Sequence, residues 1–188
     1  LYPSLSLVAG LVCFCFASIV IVKDKGNKKN RSFFVASVLT GIWTLFPFLT
    51  SLAKNYNSAL LIARLLYLFA AFVPTAWYYF MVDILEVEIS KKKAAFFVFM
   101  SIFFGVLSFT PFFVKGVGLF APNFYPVPGS LYSLFIIFFL LVFSEIILKL
   151  YLVFKNASGY RKSQFFYVCG AYAAGTLSGV LHFLSAYT

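Results

Sequence analysis

Long apolar runs separated by short polar gaps dominate this chain of 188 residues. A helix needs roughly 20 mostly apolar residues to cross the hydrocarbon core of a bilayer. The runs reach that length and lack the alternation of apolar and polar residues that is typical of a membrane barrel strand. The pattern predicts an all-α, polytopic transmembrane bundle in a single domain, 1–188, with six spans at residues 2–22, 32–52, 59–85, 94–114, 129–154 and 163–187.

Basic residues in alternate gaps predict the orientation of the bundle. Short loops rich in Lys and Arg stay on the cytoplasmic side of a membrane. The first, third and fifth gaps are rich in them, whereas the second and fourth carry one lysine each, Lys54 and Lys115. The N-terminus is therefore predicted outside. The basic gaps hold Lys23, Lys25, Lys28, Lys29 and Arg31, then Lys91, Lys92 and Lys93, then Lys155, Arg161 and Lys162.

The composition supports a lipid environment. The chain is 63% hydrophobic and only 11% charged, which is too apolar for a soluble domain of this length. Its formal net charge is +10. Most of the basic residues line one predicted membrane face, where anionic lipid attracts them. The predicted partner is therefore the lipid bilayer and not nucleic acid. The three cysteines, Cys13, Cys15 and Cys169, fall within spans and are predicted to be small packing residues.

Groups that carry chemistry are scarce. Hydrolysis in a membrane needs a nucleophile with a base, opposed carboxylates or several metal ligands. The chain has one histidine and five acidic residues, and haem proteins generally use paired axial ligands. We predict no enzymatic activity, no cofactor and no metal site.

The third span contains an arginine, and an intramembrane charge is a functional candidate by default. Helical spacing predicts that Arg64, Tyr67, Pro74 and Tyr78 share one face. Arg64 either anchors the acidic or carbonyl head of a ligand or extends to the outer headgroups. Pro74, together with Pro47 and Pro111, is predicted to kink its helix, either for packing or to shape a cavity.

The fifth span contains Glu145 and Lys149, one turn apart in the favourable order for an ion pair within a helix. We predict that they neutralise each other near the cytoplasmic edge. Asp83 closes the third span, where it either pairs with a neighbouring helix or marks the membrane interface, and we predict the interface position.

The sixth span carries small residues at intervals of four, Ala171, Gly175 and Gly179, which predict a face for close helix packing. His182 continues the same stripe, either as a hydrogen-bonded packing residue or as a ligand contact. The gap from 115 to 128 mixes proline with aromatic residues and predicts either an ordered outer lid or an interfacial connector.

Several short motifs occur in a fixed order along the chain. The third span contains Ala63-Arg64-Leu65-Leu66-Tyr67 and then Val73-Pro74-Thr75-Ala76-Trp77. The others are Asn30, Arg31 and Phe33 followed by Trp43, then Pro128-Gly129 with Tyr132, then Arg161 with Gln164. In these motifs the chain resembles the N-terminal seven-transmembrane sensor region of bacterial histidine kinases.

The resemblance implies a transmembrane receptor in a bacterial cell membrane. Such a domain detects an extracellular or membrane-dissolved small molecule and signals to a cytoplasmic output module that is absent from this chain. The resemblance also implies a homodimer. Arg64, Tyr67, Pro74 and Trp77 are the family-like positions, and Arg64 and Tyr67 are the favoured ligand-facing residues. Trp77, Tyr78 on the Arg64 face and His182 on the sixth span are further ligand-binding candidates.

The chain departs from that pattern in one respect. The family has a seventh helix that leads to the cytoplasm, whereas an outside start and six spans return this chain to the outside at Thr188. The missing seventh helix predicts a fragment or a trimmed chain.

Two other functions fit the same pattern of spans. One is a small-molecule transporter or channel whose kinked helices line a path past Arg64 and Glu145. The other is a membrane scaffold subunit that binds a partner through the Ala171, Gly175 and Gly179 face.

The predicted orientation is open to a labelling test. An impermeant thiol reagent added outside intact cells should label a Ser58→Cys variant and leave a Lys92→Cys variant unlabelled, because only the first position is predicted outside. The unsubstituted chain serves as the control for its native cysteines. Labelling of the Lys92→Cys variant alone would contradict the predicted orientation and indicate the opposite one.

Overall fold

The computed structural model describes residues 2–120 and 123–156, together with residues 158, 159, 166, 170, 172, 175 and 177. Within these ranges the chain is mainly helical, and a two-stranded sheet interrupts the helices once. In chain order the elements are α1 (Tyr2–Lys23), α2 (Lys28–Thr44), α3 (Phe46–Ser51), α4 (Tyr56–Ala70), α5 (Val73–Leu85), α6 (Lys91–Leu107), β1 (Val114–Phe120), β2 (Asn123–Pro128) and α7 (Tyr132–Asn156).

The predicted all-α membrane bundle is confirmed. Helices satisfy their own backbone hydrogen bonds, which a water-free bilayer core requires. The number of crossings and the orientation remain predictions, and most of the predicted sixth span, 163–187, lies outside the described residues. Four described helical stretches are long and apolar enough to cross a membrane: Pro3–Lys23, Lys28–Ser51, Tyr56–Leu85 and Tyr132–Lys155.

Two of the predicted spans are broken at their prolines. Pro47 lies in the first turn of α3, directly after α2, and Pro74 lies in the first turn of α5, directly after α4. Proline lacks an N–H and clashes with the preceding turn, but the first turn of a new helix tolerates it. Each proline thus lies where the regular helix of a longer helical stretch is interrupted, which is the position of the predicted kink.

The predicted fourth span, 94–114, is wrong at its C-terminal end. The helix α6 ends at Leu107, and the Val114 N–H then donates to the Thr110 carbonyl at 3.1 Å in a turn that leads into β1. Pro111 lies in this turn. Because the residue before a proline disfavours the helical conformation, the Thr110-Pro111 pair follows a helix end and does not kink a longer helix.

The segment between α6 and α7, predicted as a lid or an interfacial connector, is an antiparallel β-hairpin. Its strands pair from Val114 with Pro128 to Phe120 with Asn123. Pro126 and Pro128 fit β2 because one edge of this two-stranded sheet needs no backbone donors. The hairpin packs on α3 and α4. The all-α class omitted this element.

Gly129 joins the hairpin to α7 at a crowded point of the backbone. Its N–H donates to the Phe113 carbonyl at 2.8 Å, and the Leu131 N–H donates to the Phe112 carbonyl at 2.8 Å. A Cβ atom at Gly129 would collide with the carbonyl groups of Phe112 and Pro111. Glycine allows two backbone segments to approach this closely because it has no side chain.

Two glycines bring α1 and α2 together. A Cβ at Gly10 would meet the Leu45 side chain at 2.7 Å, and a Cβ at Gly41 would meet the Phe14 ring at 2.8 Å. Gly10 and Phe14 lie one turn apart, as do Gly41 and Leu45, so each pair shares a face. Each helical segment thus offers a glycine to the large side chain of the other, as close-packed membrane helices do.

Aromatic rings fill the core beside the hairpin. Tyr132 of α7 packs edge-on against Tyr67 of α4 and against Phe113, with ring centroids 5.5 and 5.3 Å apart. Phe104 of α6 packs edge-on against Phe135 of α7 at 5.5 Å. Such edge-to-face pairs are favourable beyond the area that they bury. We call these five residues the hairpin-side aromatic cluster.

Side-chain hydroxyls form hydrogen bonds between helices. The Thr75 hydroxyl of α5 lies 2.8 Å from the Ser101 hydroxyl of α6 in a fully buried contact. The Ser108 hydroxyl, directly after α6, lies 3.0 Å from the Arg64 carbonyl of α4 and 2.7 Å from the Gly105 carbonyl of its own helix, and shares its single hydrogen between them. Buried polar groups need such partners, so these bonds specify which helices become neighbours.

A Gly129→Ala substitution tests the junction between hairpin and α7. We expect it to lower the free energy of unfolding by about 1–3 kcal/mol, the usual cost of forcing atoms into a packed region. Thermal denaturation in detergent micelles measures the change. The matched control is Gly118→Ala in β1, where a Cβ would meet Val127 at an ordinary 3.6 Å. Equal midpoints for the two variants would contradict the crowding at Gly129.

Candidate functional site

An apolar cavity of about 300 Å³ lies inside the bundle. Its walls come from α2, α5 and α7 and from two described residues of the predicted sixth span. The lining residues are Phe33, Thr40 and Trp43 of α2; Val73, Trp77, Phe80, Met81 and Ile84 of α5; Phe139 and Phe143 of α7; and Tyr172 and Gly175.

Helical periodicity explains why these residues line one cavity. On α5 the lining positions recur at intervals of three and four residues, which is the spacing of a single helix face. Phe139 and Phe143 are likewise one turn apart on α7, and their rings stack with centroids 4.3 Å apart. Phe143 also stacks on Tyr172, at 5.0 Å. These aromatic contacts tie the α7 wall to the predicted sixth span.

Trp77 joins the α5 wall of the cavity to the α2 wall. Its indole N–H donates to the Thr40 hydroxyl at 2.9 Å, and the Thr40 hydroxyl donates to the Ala36 carbonyl at 2.8 Å. The indole also packs edge-on against Phe80, with ring centroids 5.5 Å apart. Both polar groups at this part of the wall are therefore engaged within the protein. Trp77, a predicted ligand-binding candidate, faces the cavity.

The two favoured ligand candidates of the third span lie elsewhere. Tyr67 is buried in the hairpin-side aromatic cluster, and its hydroxyl lies 2.9 Å from the Tyr132 hydroxyl. Arg64 is half-buried, and its Nε is buried without a hydrogen-bond partner among the described residues. Neither residue lines the cavity. Their predicted role in ligand binding is untested by this arrangement.

Tyr78 and Pro74 lie on α5 but not on the cavity wall. Tyr78 is fully buried and packs edge-on against Phe97 of α6, with ring centroids 4.9 Å apart. Its hydroxyl has no hydrogen-bond partner in the part of the chain that the structure describes. Pro74 is buried at the start of the helix, consistent with its predicted packing role. The predicted common face of Arg64, Tyr67 and Tyr78 thus does not extend into the cavity.

An ion pair joins α2 to the C-terminal end of α5. Lys28 Nζ lies 2.8 Å from the Asp83 carboxylate, whose side chain is 5% exposed against 77% for Lys28. Beside it, Lys29 Nζ lies 2.6 Å from the Glu86 carboxylate. The favoured interpretation of Asp83 as a mere interface marker is corrected, because its carboxylate is buried and paired with a neighbouring helix.

The predicted pair within α7 is replaced by contacts between helices. Glu145 lies 2.7 Å from Lys93 Nζ of α6, and Lys149 Nζ lies 3.5 Å from the Glu88 backbone carbonyl. Although Glu145 and Lys149 have a favourable spacing along the helix, the partner of Glu145 is Lys93 of the neighbouring helix. A pair between helices satisfies the carboxylate and also holds α6 against α7.

The packing face of the sixth span falls largely outside the described residues, which exclude Ala171, Gly179 and His182. Gly175 lines the cavity, and among the described residues no atom lies within 4 Å of a Cβ added to it. The close helix contact predicted for the Ala171, Gly175 and Gly179 face stays a prediction. Within the described ranges, no group of three His, Cys, Asp or Glu residues is placed to hold a metal ion.

Sequence reasoning missed most of the cavity wall. Thr40, Phe143 and their neighbours carry no motif, and only the partner helices reveal which face of α2 or α7 turns inward. The spacing of aromatic residues on α5 was the available signal. Asp83 was also identifiable, because a carboxylate at the end of an apolar span is costly unless it is paired.

The described architecture defines a class of protein, a multi-pass membrane bundle with an internal apolar cavity. A family model described as the N-terminal 7TM region of histidine kinase matches residues 5–187. Because the match covers nearly the whole chain, the chain belongs to this family, as the resemblance predicted. It is a transmembrane sensory region and not itself a catalytic one. Comparisons with curated proteins and with solved structures gave no significant match.

Removal of Lys28 tests the ion pair with Asp83. A Lys28→Ala variant leaves a buried carboxylate unpaired, which we expect to cost about 1–3 kcal/mol of the free energy of unfolding. Thermal denaturation in micelles measures it.

The matched control is Lys29→Ala, whose partner Glu86 has a side chain that is 61% exposed. Exposed ion pairs contribute roughly 0–1 kcal/mol, so this variant should stay close to the unsubstituted chain. A larger loss for Lys29→Ala than for Lys28→Ala would contradict the assignment.

Proposed function

We propose that this sensory domain detects a small molecule that arrives from the extracellular side or through the membrane. Binding changes the packing of the helices, and the change is relayed to a cytoplasmic output module that lies outside these 188 residues. The observation that carries the proposal is the cavity, which lies between two groups of helices. An ion pair holds each group, and the buried Thr75–Ser101 hydrogen bond links one group to the other.

The first group consists of α2 and α5. The Trp77–Thr40 hydrogen bond joins these helices at the cavity, and the Lys28–Asp83 ion pair joins them at their charged ends. The second group consists of α6 and α7, which the Lys93–Glu145 ion pair joins. A molecule in the cavity contacts α5 of one group and α7 of the other. Its binding therefore favours one spacing of the two groups over another.

This arrangement meets the requirement for a ligand-driven switch. A ligand shifts an equilibrium between two packings only if it binds one of them better than the other. A cavity whose walls belong to both groups supplies that difference. In the proposed mechanism Trp77 contacts the ligand, while Arg64 and Tyr67 act through the packing of α4.

We propose that the signal leaves the bundle at the end where the Lys28–Asp83 ion pair joins α2 to α5. Ile84 lines the cavity and adjoins Asp83, so the cavity wall and the ion pair share one turn of α5. A shift of α5 at the cavity moves the charged end directly. The basic gaps at this end are predicted cytoplasmic, which is the side that an output module requires.

The test uses the full-length protein with its output module, reconstituted in liposomes, and measures autophosphorylation with ATP. A Phe143→Ala substitution enlarges the cavity, and we expect it to change the steady-state phosphorylation at least about five-fold, the lower end of typical coupling between sites. The matched control is Leu141→Ala on the same helix, whose side chain is 56% exposed and faces away from the core.

Thermal denaturation of both variants verifies that the bundle is intact. Equal phosphorylation by the folded Phe143→Ala variant, the folded Leu141→Ala variant and the unsubstituted protein would refute coupling between the cavity and the output module.

A further inference from the structure

We propose that the cavity binds an uncharged, predominantly apolar small molecule that enters from the bilayer, and that both tryptophans of the chain contact it. The biological role of this site rests on the proposed sensory function, but the binding itself is a separate property. The argument uses the chemistry of the wall, its size and its opening.

The chemistry of the wall favours an uncharged ligand. The described lining residues include no Lys, Arg, Asp or Glu. The Trp77 N–H and the Thr40 hydroxyl donate within the protein, to Thr40 and to the Ala36 carbonyl. A charged molecule entering here would lose its hydration without meeting an ionised side chain of opposite charge among the described lining residues, which is unfavourable. The wall favours carbon-rich molecules.

The size of the cavity also favours a ligand over water. A volume of about 300 Å³ lies at the lower end of the range of small-molecule sites. Water needs two to four polar partners to occupy a buried site, and apolar cavities without them stay dry. An empty cavity deprives its lining of dispersion contacts. An apolar molecule of matching size restores those contacts.

Gly175 supplies the route from the bilayer. It is exposed and lines the cavity, and a Cβ placed on it would meet no atom of the described residues within 4 Å. Among the residues that the structure describes, the wall is open at this position. Phe143 and Tyr172, stacked at 5.0 Å, lie on the same wall. A membrane-dissolved molecule that passes Gly175 contacts the rings of Phe143 and Tyr172 next.

The chain carries its own reporter for this site. It contains two tryptophans, Trp43 and Trp77, and both line the cavity. Tryptophan fluorescence of these 188 residues therefore comes from the proposed site alone, when it is excited selectively over tyrosine and the nanodisc scaffold protein carries no tryptophan. The probe is 1-bromooctane, an uncharged molecule whose bromine quenches tryptophan on contact, added to the protein in nanodiscs of unbrominated phospholipid. We expect quenching that saturates with probe concentration and that excess octane relieves.

A cavity-filling variant tests the location. Gly175→Leu places a side chain at the opening and displaces roughly two methylene groups of probe, so we expect apparent affinity to fall about ten-fold. The matched control is Gly170→Leu, because Gly170 also has open space around its Cβ but does not line the cavity. This control should bind 1-bromooctane like the unsubstituted chain.

A second measurement does not depend on the folding of a variant. An octane derivative with a photoreactive diazirine, irradiated with the unsubstituted protein, should modify peptides that contain Trp77 or Phe143, and excess octane should prevent this. Modification confined to lipid-facing segments, or quenching that never saturates, would overturn the proposal.

An acyl chain of the bilayer is an alternative source of the same apolar chemistry. Nanodiscs made with phospholipid brominated in its acyl chains identify it. If this lipid alone quenches both tryptophans, and Gly175→Leu abolishes that quenching, then the occupant is lipid and the proposed free molecule is wrong. Weak quenching that Gly175→Leu leaves unchanged supports the proposal.

Failure of the site and failure of the sensory function give different results. Saturable quenching by 1-bromooctane, without any effect of Phe143→Ala on autophosphorylation, supports the site and refutes the sensory coupling. Altered autophosphorylation without saturable quenching retains the sensory function and overturns the apolar site.

Discussion

The hydrophobic effect does not determine which helices pack together in a bilayer, because lipid tails are as apolar as the side chains that face them. In this bundle, hydrogen bonds between side chains help to determine which helices are neighbours. A hydroxyl pair joins α5 to α6 through Thr75, another joins α4 to α7 through Tyr67, and the Trp77 indole joins α5 to α2. Each lies where an unpaired polar group is costly. The arrangement of the helices, and with it the cavity, depends on these bonds.

The same constraint acts more strongly on charges. The Asp83 and Glu145 carboxylates find lysines on neighbouring elements, and each pair links two helices near one end of the bundle. The cavity lies between the helices so linked, and the Thr75–Ser101 hydrogen bond connects the two pairs. Small shifts of packed helices against each other are one way in which a bundle responds to a ligand.

The sequence predicts the membrane class because long apolar runs have no other stable environment. The sequence does not predict which helices pack against each other. Helical periodicity placed Arg64, Tyr67 and Tyr78 on one face, but α4 ends at Ala70 and a new helix begins at Val73, so the periodicity does not continue across the break. Likewise, spacing along one helix suggested a partner for Glu145, whereas the nearer lysine belongs to α6. The apolar character of each span was predictable from the sequence, whereas the partners of its polar side chains required the fold.

The reciprocal packing of α1 on α2 has an evolutionary consequence. Gly10 accommodates Leu45 and Gly41 accommodates Phe14, so two small residues and two large ones form interlocking pairs. A larger residue at either glycine is tolerable if its opposite side chain shrinks in the same lineage. Members of the family should therefore vary at these four positions in compensated pairs. Where that covariation occurs, it identifies relatives in which the first two helices still pack as they do here.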